Sequence, residues 1–324
     1  MKRLAARSLD VVCFGEAIVD FFPGVVGRPL SEIETFHRHL GGAPTNVAVG
    51  LARLGARAGL MTLVGNDEFG LYVRNELARE GVDVRAVAVH RTARTGITFV
   101  SVGERGERSF SFYRDRCADQ LIAPVDVDGE VIEDARIFHF GSSTLARDPA
   151  RSATLAALAD AREAGCVVSC DPNFRPHVWD DPSSARGLIR QALADSDIVK
   201  LADDEIAPLL GNLSVEQAGV ALRELGVRLA VITLGARGCY YEAPAGRGYI
   251  GGDKVTAVDT TAAGDGFVAG LLAQLAPLVA AGKAIDELDR ATLERALAFA
   301  NQVGARTVAR IGSAQAIPRK DEIA

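Results

Sequence analysis

Residues 259–265, with the sequence DTTAAGD, place two carboxylates around a run of small residues, and the apolar stretch 266–272 follows directly. This pattern predicts the start of a helix, where the first backbone N–H groups have no partner inside the helix and can hold an anion. Phosphoryl transfer needs such charge stabilisation and a group that accepts the proton of the attacking alcohol. Asp265 is placed to be that base, beside the amides of Ala262, Ala263 and Gly264, although an aspartate here could instead cap the helix.

A second candidate segment, residues 41–46 (GGAPTN), opens another apolar helical stretch. Pro44 suits a first helical turn, and the paired glycines Gly41 and Gly42 allow a ligand to approach the backbone closely. Asn46 carries both a donor and an acceptor, which suits the recognition of a hydroxyl group. These features indicate a polar-ligand site, and the simpler interpretation is an ordinary loop-to-helix turn.

The third segment, residues 233–238 (TLGARG), follows a predicted buried strand. Ligands of α/β sheets bind at the carboxyl ends of strands, where Thr233, Gly235 and Gly238 would admit the phosphates of a nucleotide. The sequence contains neither a G-x-x-x-x-G-K-[ST] loop nor an H-R-D catalytic loop. An ATP site in this protein must therefore have another design.

Short apolar or β-branched runs alternate with helical stretches along the chain. This alternation predicts an α/β fold with a doubly wound, mostly parallel sheet flanked by helices. Six strands are predicted, at residues 11–14, 60–64, 137–140, 167–170, 198–201 and 229–234.

Two segments, 20–40 and 96–114, depart from this succession of buried strands and helices, because apolar and polar residues alternate in them. A period of two predicts half-buried antiparallel strands, with a hairpin turn at residues 103–106. We expect a small β-sheet lid inserted in a single domain that spans residues 1–324. A β extension that only supports a dimer is the plainer alternative, and the two roles are compatible.

Composition narrows the possible partners and environment. The 324 residues are 48% hydrophobic and carry a formal net charge of −6, which gives no basic surface for nucleic acid or acidic membranes. No signal-peptide core precedes Asp10, and no stretch approaches the roughly 20 apolar residues of a membrane helix. A cytoplasmic location and a small-molecule partner are therefore predicted. The five cysteines form no C-x-x-C pair and are expected to be reduced packing residues.

The order and spacing of the three segments resemble the ribokinase-like, PfkB-type carbohydrate kinases, over about residues 11–318. Residues 41–46 and 259–265 look like the two signatures of that family, and their joint occurrence is far more specific than either alone. Within the family the chain most resembles fructokinases, through residues 14–21, 65–70, 112–114, 118–119, 137–142 and 171–179. The resemblance implies a central sheet with a β lid, ATP and Mg²⁺, fructose as the leading substrate and a homodimer joined through the lids.

The resemblance also implies roles for individual residues, with Asp265 as the catalytic base. Sugar hydroxyls would be bound by Asp20, Gly42 and Asn46, with Gly41 beside them, and by Arg114 and Arg175. The nucleotide would contact Thr233, Gly235, Gly238 and Lys200, and Asn301, on a helix predicted at residues 296–308, would close the adenine pocket. Glu205 would order water around Mg²⁺.

Three departures from the family pattern concern the site. Ala262 stands where glycine is usual, and a left-handed backbone there would cost about 1 kcal/mol or more. Ala202 replaces the usual asparagine of the motif that ends at Glu205. Many relatives also bind a monovalent cation, and its ligands here would be backbone groups of Asp259, Thr261, Thr307, Arg310 and Gly312. Ala316 lacks a hydroxyl that some relatives contribute, so potassium dependence stays an open alternative.

Other functions also stay open at this point. A 2-keto-3-deoxygluconate kinase is the second candidate because Arg114 and Arg175 could clamp a carboxylate, although that branch usually has tyrosine where Phe112 stands. Another PfkB-type sugar kinase is compatible with the same signatures. A catalytically silent sugar- or nucleotide-binding regulator is the alternative from a different class, and its expected mark would be a missing base at Asp265.

Overall fold

A nine-stranded β-sheet forms the centre of the computed structural model, which describes residues 7–25, 27–102 and 108–323. The strands are β1 Leu9–Phe14, β2 Ile18–Pro23, β3 Phe36–Gly41, β4 Ala58–Gly65, β5 Val87–His90, β6 Ile97–Val102, β7 Arg108–Tyr113, β8 Ala135–Phe140, β9 Val167–Cys170, β10 Ile198–Ala202, β11 Leu229–Thr233, β12 Cys239–Ala243 and β13 Gly246–Ile250. The α-helices are α1 Ala43–Arg53, α2 Glu68–Arg79, α3 Gly129–Glu133, α4 Ala150–Glu163, α5 Pro182–Ala194, α6 Ile206–Leu210, α7 Val215–Glu224, α8 Ala263–Ala280 and α9 Arg290–Thr307.

The strand order in the large sheet is β13-β12-β11-β10-β9-β8-β1-β4-β5. The strands from β11 to β5 run parallel, and β12 and β13 extend the sheet in antiparallel fashion. All six strands predicted from the sequence are present, and the predicted α/β class is confirmed. Because parallel strands end at the same edge, the loops that follow β9, β10 and β11 lie next to one another there.

Buried side chains fill both faces of the large sheet. In β11, Leu229 and Val231 belong to one hydrophobic cluster, whereas Ala230 and Ile232 belong to the cluster on the opposite face. A strand that is buried on both faces has no side in contact with water, so its side chains are apolar on both faces. This explains the continuous apolar runs in the sequence.

The second sheet has the strand order β3-β2-β6-β7, with β2 and β6 parallel and the two outer pairs antiparallel. It confirms the predicted β lid, with two differences: β2 begins earlier than expected, at Ile18, and it pairs with β6 in parallel where antiparallel strands are predicted. Asp20 pairs with Thr98 across β2 and β6, and Phe21 pairs with Phe99, so polar and aromatic pairs occupy opposite faces. The turn predicted at residues 103–106 lies outside the described residues, and the single-domain organisation stays a prediction.

Helix α8 carries Asp265 into the protein core and crosses α9 closely at Gly270. A Cβ added at this glycine would lie 2.9 Å from Val303 Cγ2 and 3.0 Å from Ala300 Cα. By length and composition alone the helix could cross a membrane, which differs from the expectation that no stretch approaches this limit. It has 18 residues and a mean hydropathy of 1.4, and 56% of it is buried inside the protein. Its position against α9 accounts for this apolar composition.

The substitution Gly270→Ala tests the close packing of α8 on α9. The added methyl must displace the α9 backbone, so the free energy of unfolding should fall by about 1–3 kcal/mol. Gly187→Ala in α5 is the matched control, because no atom lies within 4 Å of its added methyl. The control should gain about 0.5–1 kcal/mol, since alanine favours helix more than glycine does. Urea unfolding measures both effects, and a gain for Gly270→Ala would contradict the packing.

Candidate active site

The starts of two helices from distant parts of the chain meet at Asp265. Asn46, in the first turn of α1, donates its Nδ2 to Asp265 Oδ2 at 2.7 Å, although the two residues are 219 positions apart. Asn173, in the loop after β9, reaches Asp265 Oδ1 at 3.5 Å. Two of the three candidate segments are thus joined by a side-chain contact, with the Asp265 carboxylate at the junction.

The Asp265 carboxylate is almost fully removed from solvent, since 6% of the residue is exposed. Burial raises its pKa to about 7; the hydrogen bond from Asn46 favours the charged form, and the Asp171 carboxylate opposes it. General base catalysis is most efficient when the pKa of the base lies near the working pH. Its burial therefore prepares Asp265 to accept a proton near neutral pH.

The first turn of α8 provides backbone donors beside this carboxylate. The hydrogen-bond ladder of the helix begins with Gly266 N, which donates to Ala262 O at 2.8 Å. The amides of Gly264 and Asp265 precede that bond, in the position where helix starts hold anions. Lys200 adds a positive charge close to this helix start. A Cβ built at Gly264 would lie only 2.9 Å from Lys200 Nζ. Glycine at position 264 therefore lets the ammonium group approach the helix start.

Ala262, the residue before α8, adopts a left-handed conformation with φ 58° and ψ 12°. Of the conformations considered from the sequence, this is the strained one. A left-handed backbone costs an L-residue with a Cβ roughly 1–2 kcal/mol. The turn therefore keeps the geometry that glycine adopts freely, and backbone strain is stored next to the anion-binding amides.

A cavity of about 690 Å³ opens at this junction, a volume typical of small-molecule sites. The residues predicted from the sequence that line it are Asp20, Asn46, Arg114, Arg175, Lys200, Glu205, Thr233, Gly235, Thr261, Ala262, Ala263, Gly264 and Asp265. The lid also contributes Thr98 and Phe112. The cavity therefore connects the lid, both helix starts and the loops after β10 and β11.

Buried polar groups dominate the lid end of the cavity. Arg114 forms an ion pair with Asp119, so it is both a structural partner and a cavity residue. Burial raises the pKa of Asp20 to about 6, although hydrogen bonding from Ser313 and the charge of Arg114 favour the ionised form.

Within the described part of the chain, five buried polar atoms of lining residues have no hydrogen-bond partner: Asn46 Oδ1, Thr98 Oγ1, Arg114 Nε, Ser142 Oγ and Thr261 Oγ1.

Gly41 and Gly42 lie just behind this lining. A Cβ at Gly41 would be 2.3 Å from Asp20 Oδ2, and a Cβ at Gly42, whose φ is 101°, would be 2.3 Å from Glu16 O. Protein groups thus approach both glycines closely, and the sugar contacts expected of Gly41 and Gly42 stay a prediction. Both glycines therefore act by letting neighbouring residues pack where a side chain would collide.

Lys200 and Asp171 form a buried ion pair, with Nζ 3.0 Å from Asp171 Oδ2. Burial favours the neutral amine, but the Asp171 and Glu205 carboxylates outweigh burial and raise the pKa of Lys200. Glu205 accepts hydrogen bonds from Phe174 N at 2.5 Å and from Ala202 N at 2.8 Å. The main chain of Ala202 makes this bond, so Glu205 stays in place although position 202 lacks the asparagine side chain that is usual in the family.

The chemistry at this end of the cavity fits a hydrated Mg²⁺. Glu205 lines it together with Asp203 and Asp204, and carboxylate oxygens and water are ligands that this ion takes. No group of three His, Cys, Asp or Glu side chains suited to a metal occurs among the described residues. Mg²⁺ here would therefore depend on phosphate oxygens and on water ordered by Glu205.

The residues predicted to bind the nucleotide fall into two groups, those that line the cavity and those that do not. Thr233 and Gly235 line the cavity, and Gly235, with φ 58°, faces open space. Gly238 and Asn301 lie outside the lining formed by the described residues. Gly238 has φ 91° in the turn before β12, and Asn301 donates its Nδ2 to the carbonyls of Ile250 and Gly251 at 3.2 Å. These two residues shape the β12–β13 hairpin beside the cavity.

The candidate residues for a monovalent cation lie in the loop before α8 and at the end of α9 with the loop that follows it. Val258 N and Asp259 N donate to Val308 O at 2.7 and 3.0 Å, and Asp259 accepts from Thr261 N at 2.6 Å and from Gly312 N at 3.0 Å. Arg310 N donates to Thr307 O in the second loop. The unpartnered Thr261 hydroxyl noted above suits an oxygen-lined cation site.

Three cavity residues are identified by the structure and missed by reasoning from the residues alone. Glu16 accepts from Ala43 N at 3.1 Å and from Ser143 Oγ at 2.5 Å. Asn173 contacts Asp265, helped by its left-handed φ of 45°. His177 stacks on Phe112 of the lid, with ring centroids 4.6 Å apart. A polar residue placed directly after a predicted strand could have indicated Asn173, whereas the His177 contact depends on how the lid is placed.

Comparisons with known proteins agree with this geometry. Residues 8–320 match the model of the pfkB family carbohydrate kinase. The chain is 40% identical over 330 aligned residues to a protein named probable fructokinase-7 from Arabidopsis thaliana, covering 100% of this chain and 95% of the relative. A fructokinase double mutant from Vibrio cholerae O395, crystallised with fructose, ADP and potassium ion, has a TM-score of 0.85 at 34% identity over 98% of each chain. A putative ribokinase II from E. coli, in complex with ATP and Mg²⁺, has a TM-score of 0.87 at 29% identity over 97% of each chain.

A buried carboxylate beside a helix start with free amides, in a cavity lined by the lid, has the parts that transfer of a phosphoryl group to an alcohol needs. With the family match, it identifies a phosphotransferase that acts on an alcohol group. The family match covers nearly the whole chain. The protein therefore belongs to the pfkB family of carbohydrate kinases.

The substitution Ala262→Gly tests the left-handed turn. It should raise the free energy of unfolding by about 1 kcal/mol or less, because relief of strain is partly offset by the freedom that glycine adds to the unfolded chain. Ala263→Gly, at the first residue of α8, is the matched control and should lose stability by about 1 kcal/mol or less. Thermal unfolding compares the pair, and equal losses in both variants would contradict the assignment.

Proposed function

We propose that this protein is an ATP-dependent fructokinase, which transfers the γ-phosphoryl group of ATP to a hydroxyl of fructose. The observation that carries the proposal is the buried Asp265 carboxylate, held by Asn46 at the start of α8 within a cavity that the lid helps to line. A base, an anion-binding helix start and a polar pocket thus share one place. Similarity along the whole chain to proteins named fructokinase supports fructose as the acceptor.

In this proposal each part of the site has one task. Asp265 takes the proton of the sugar hydroxyl, while the amides of Gly264 and Asp265 and the charge of Lys200 stabilise the transferred group. Mg²⁺, when bound, neutralises charge on the phosphate oxygens. The lid excludes water, so hydrolysis of ATP does not compete with transfer to the sugar.

The unpartnered polar atoms around the lid end support a polyhydroxylated substrate. A buried polar group without a hydrogen bond costs roughly 1–3 kcal/mol, so Asn46 Oδ1, Thr98 Oγ1 and Arg114 Nε favour a ligand that supplies hydrogen bonds. Each hydroxyl of a sugar can donate one hydrogen bond and accept others. With small side-chain rotations, a sugar in the cavity would satisfy Asn46, Thr98 and Arg114, beside the proposed contacts to Asp20 and Arg175.

A 2-keto-3-deoxygluconate kinase remains the second candidate, because Arg114 and Arg175 both line the cavity and could hold a carboxylate. Phe112 favours fructose, since it offers the cavity a ring without a hydroxyl. Rates on fructose, on the keto acid and on a panel of other sugars distinguish these substrates. Faster turnover of the keto acid would overturn the fructose assignment and leave the kinase class intact.

The remaining partners are proposed on the same basis. ATP binds along Thr233, Gly235 and Lys200, and Gly238 and Asn301 shape the nucleotide end of the cavity. Potassium, where the reaction uses it, binds near Thr261. A homodimer through the lids is supported by the lid face opposite Asp20, where Phe21 stacks on Phe99 and Tyr113 is 62% exposed. A cytoplasmic location also stays a prediction.

The substitution Asp265→Asn tests the base directly. Turnover of fructose should fall on the order of 10²–10⁴-fold, the usual contribution of a general base. In the wild-type protein kcat/KM should fall as the pH drops below about 7, because burial raises the pKa of Asp265 to about 7 and the protonated carboxyl cannot act as a base. A coupled assay from pH 5.5 to 9 measures both effects.

Stability provides the control for Asp265→Asn. A carboxyl whose pKa rises on folding from 3.8 to about 7 stabilises the fold below pH 4, and this contribution is lost as the pH rises through 7. At pH 8 the neutral asparagine should therefore leave the melting temperature equal or higher. Near-normal turnover in a folded Asp265→Asn variant would refute the proposed base.

A further inference from the structure

We propose that Ser313 is a positioning residue for sugar binding, which holds the Asp20 carboxylate of the lid from the body of the protein. The inference rests on the proposed function, in which Asp20 accepts a hydrogen bond from a sugar hydroxyl. The sequence signatures do not include Ser313, and it does not line the cavity formed by the described residues. Its role follows from a single buried contact.

The contact joins two distant parts of the chain inside the protein. Ser313 Oγ donates to Asp20 Oδ2 at 2.9 Å across 293 positions of sequence. Ser313 is 0% exposed and Asp20 is 8% exposed, so water does not compete freely for the bond. On its other side Asp20 packs against the backbone of Gly41, where a Cβ would overlap the carboxylate. The carboxylate is thus confined between a glycine and a serine hydroxyl.

Ser313 itself is held firmly by the body of the protein. The preceding amide, Gly312 N, donates to Asp259 Oδ2 at 3.0 Å. Arg53 of α1 donates its Nη1 to the carbonyls of Gln315 and Ile317, each at 2.8 Å, and is itself paired with Glu80. A donor anchored in this way fixes the direction of the Asp20 oxygens better than a mobile side chain or water would.

The charges around Asp20 show what the hydroxyl contributes. Arg114 at the end of β7 favours the ionised form, and Glu16 opposes it. His39 lies opposite Asp20 on β3, and burial lowers the pKa of His39, which favours the neutral ring. Burial raises the pKa of Asp20 and so favours the protonated carboxyl, and the hydrogen bond from Ser313 opposes protonation. An ionised carboxylate accepts hydrogen bonds from sugar hydroxyls with both oxygens, whereas a protonated one loses acceptor capacity.

The experiment measures fructose binding by calorimetry without nucleotide, from pH 5 to 9, for wild type and Ser313→Ala. At pH 7 the variant should bind on the order of tenfold more weakly, which is typical for loss of a hydrogen bond to a charged group. The pH at which affinity is half lost should lie near 6 in wild type, the pKa of Asp20, and higher in Ser313→Ala. The two proteins should therefore approach each other in affinity at pH 9.

Three further variants make the result specific. Ser152→Ala removes a similar serine–aspartate hydrogen bond, to Asp148 Oδ1 at 2.6 Å on the surface, and should leave fructose binding unchanged. Ser313→Cys keeps a weak donor and should give an intermediate midpoint. Asp20→Asn cannot titrate and should bind fructose weakly, with little dependence on pH. Binding of a non-hydrolysable ATP analogue should be unchanged in Ser313→Ala, since the serine acts on the sugar end.

The possible outcomes separate the two proposals. Equal loss of affinity at every pH in Ser313→Ala and Ser313→Cys would mean a merely structural role and would overturn the inference, as would unchanged binding. If wild type bound no sugar at all, the proposed function would fail and the assignment of Ser313 with it. Normal fructose binding with an unshifted midpoint in both variants would overturn Ser313 alone and leave the kinase proposal standing.

Discussion

The hydrogen bond between Asn46 and Asp265 is the contact on which the site depends. The carboxylate that it joins is buried at the start of α8. Burial raises the pKa of Asp265 to about 7, while the hydrogen bond itself favours the charged form. The same turn contains the left-handed Ala262, so a desolvated charge and a strained backbone lie side by side. Each feature lowers the stability of the folded protein near neutral pH, and each shapes the place where phosphate and alcohol would meet.

The main architecture could be predicted from the sequence because it follows from periodicity. Continuous apolar runs predict strands that are buried on both faces, and β8, β9, β10 and β11 lie where those runs occur. Alternation predicts the lid strands β6 and β7 for the same reason. Helix α9 is longer than predicted: it begins at Arg290 and not at residue 296, where Asp289 caps it by accepting from Thr292 N. That cap is a local signal and could have been recognised.

The rest of the site could not be predicted, because it depends on contacts between distant segments. Paired glycines at 41 and 42 indicate close approach to the backbone, but the sequence does not show that Asp20 and Glu16 are among the groups that approach. The sequence does not decide between the allowed conformations of Ala262, since the backbone there is set by how α8 enters the fold. Ser313 has no motif around it, and its partner Asp20 belongs to the opposite end of the chain.

The most direct test of this account is the pKa of Asp265 in the protein without substrates. Carboxyl resonances of ¹³C-labelled aspartate, assigned by comparison with Asp265→Asn, would be followed from pH 3 to 9. The account predicts a titration at about 7, because the carboxylate is buried at the junction of α1 and α8. Titration near 4, the ordinary value for an exposed aspartate, would show that this carboxyl is solvated and would contradict the account.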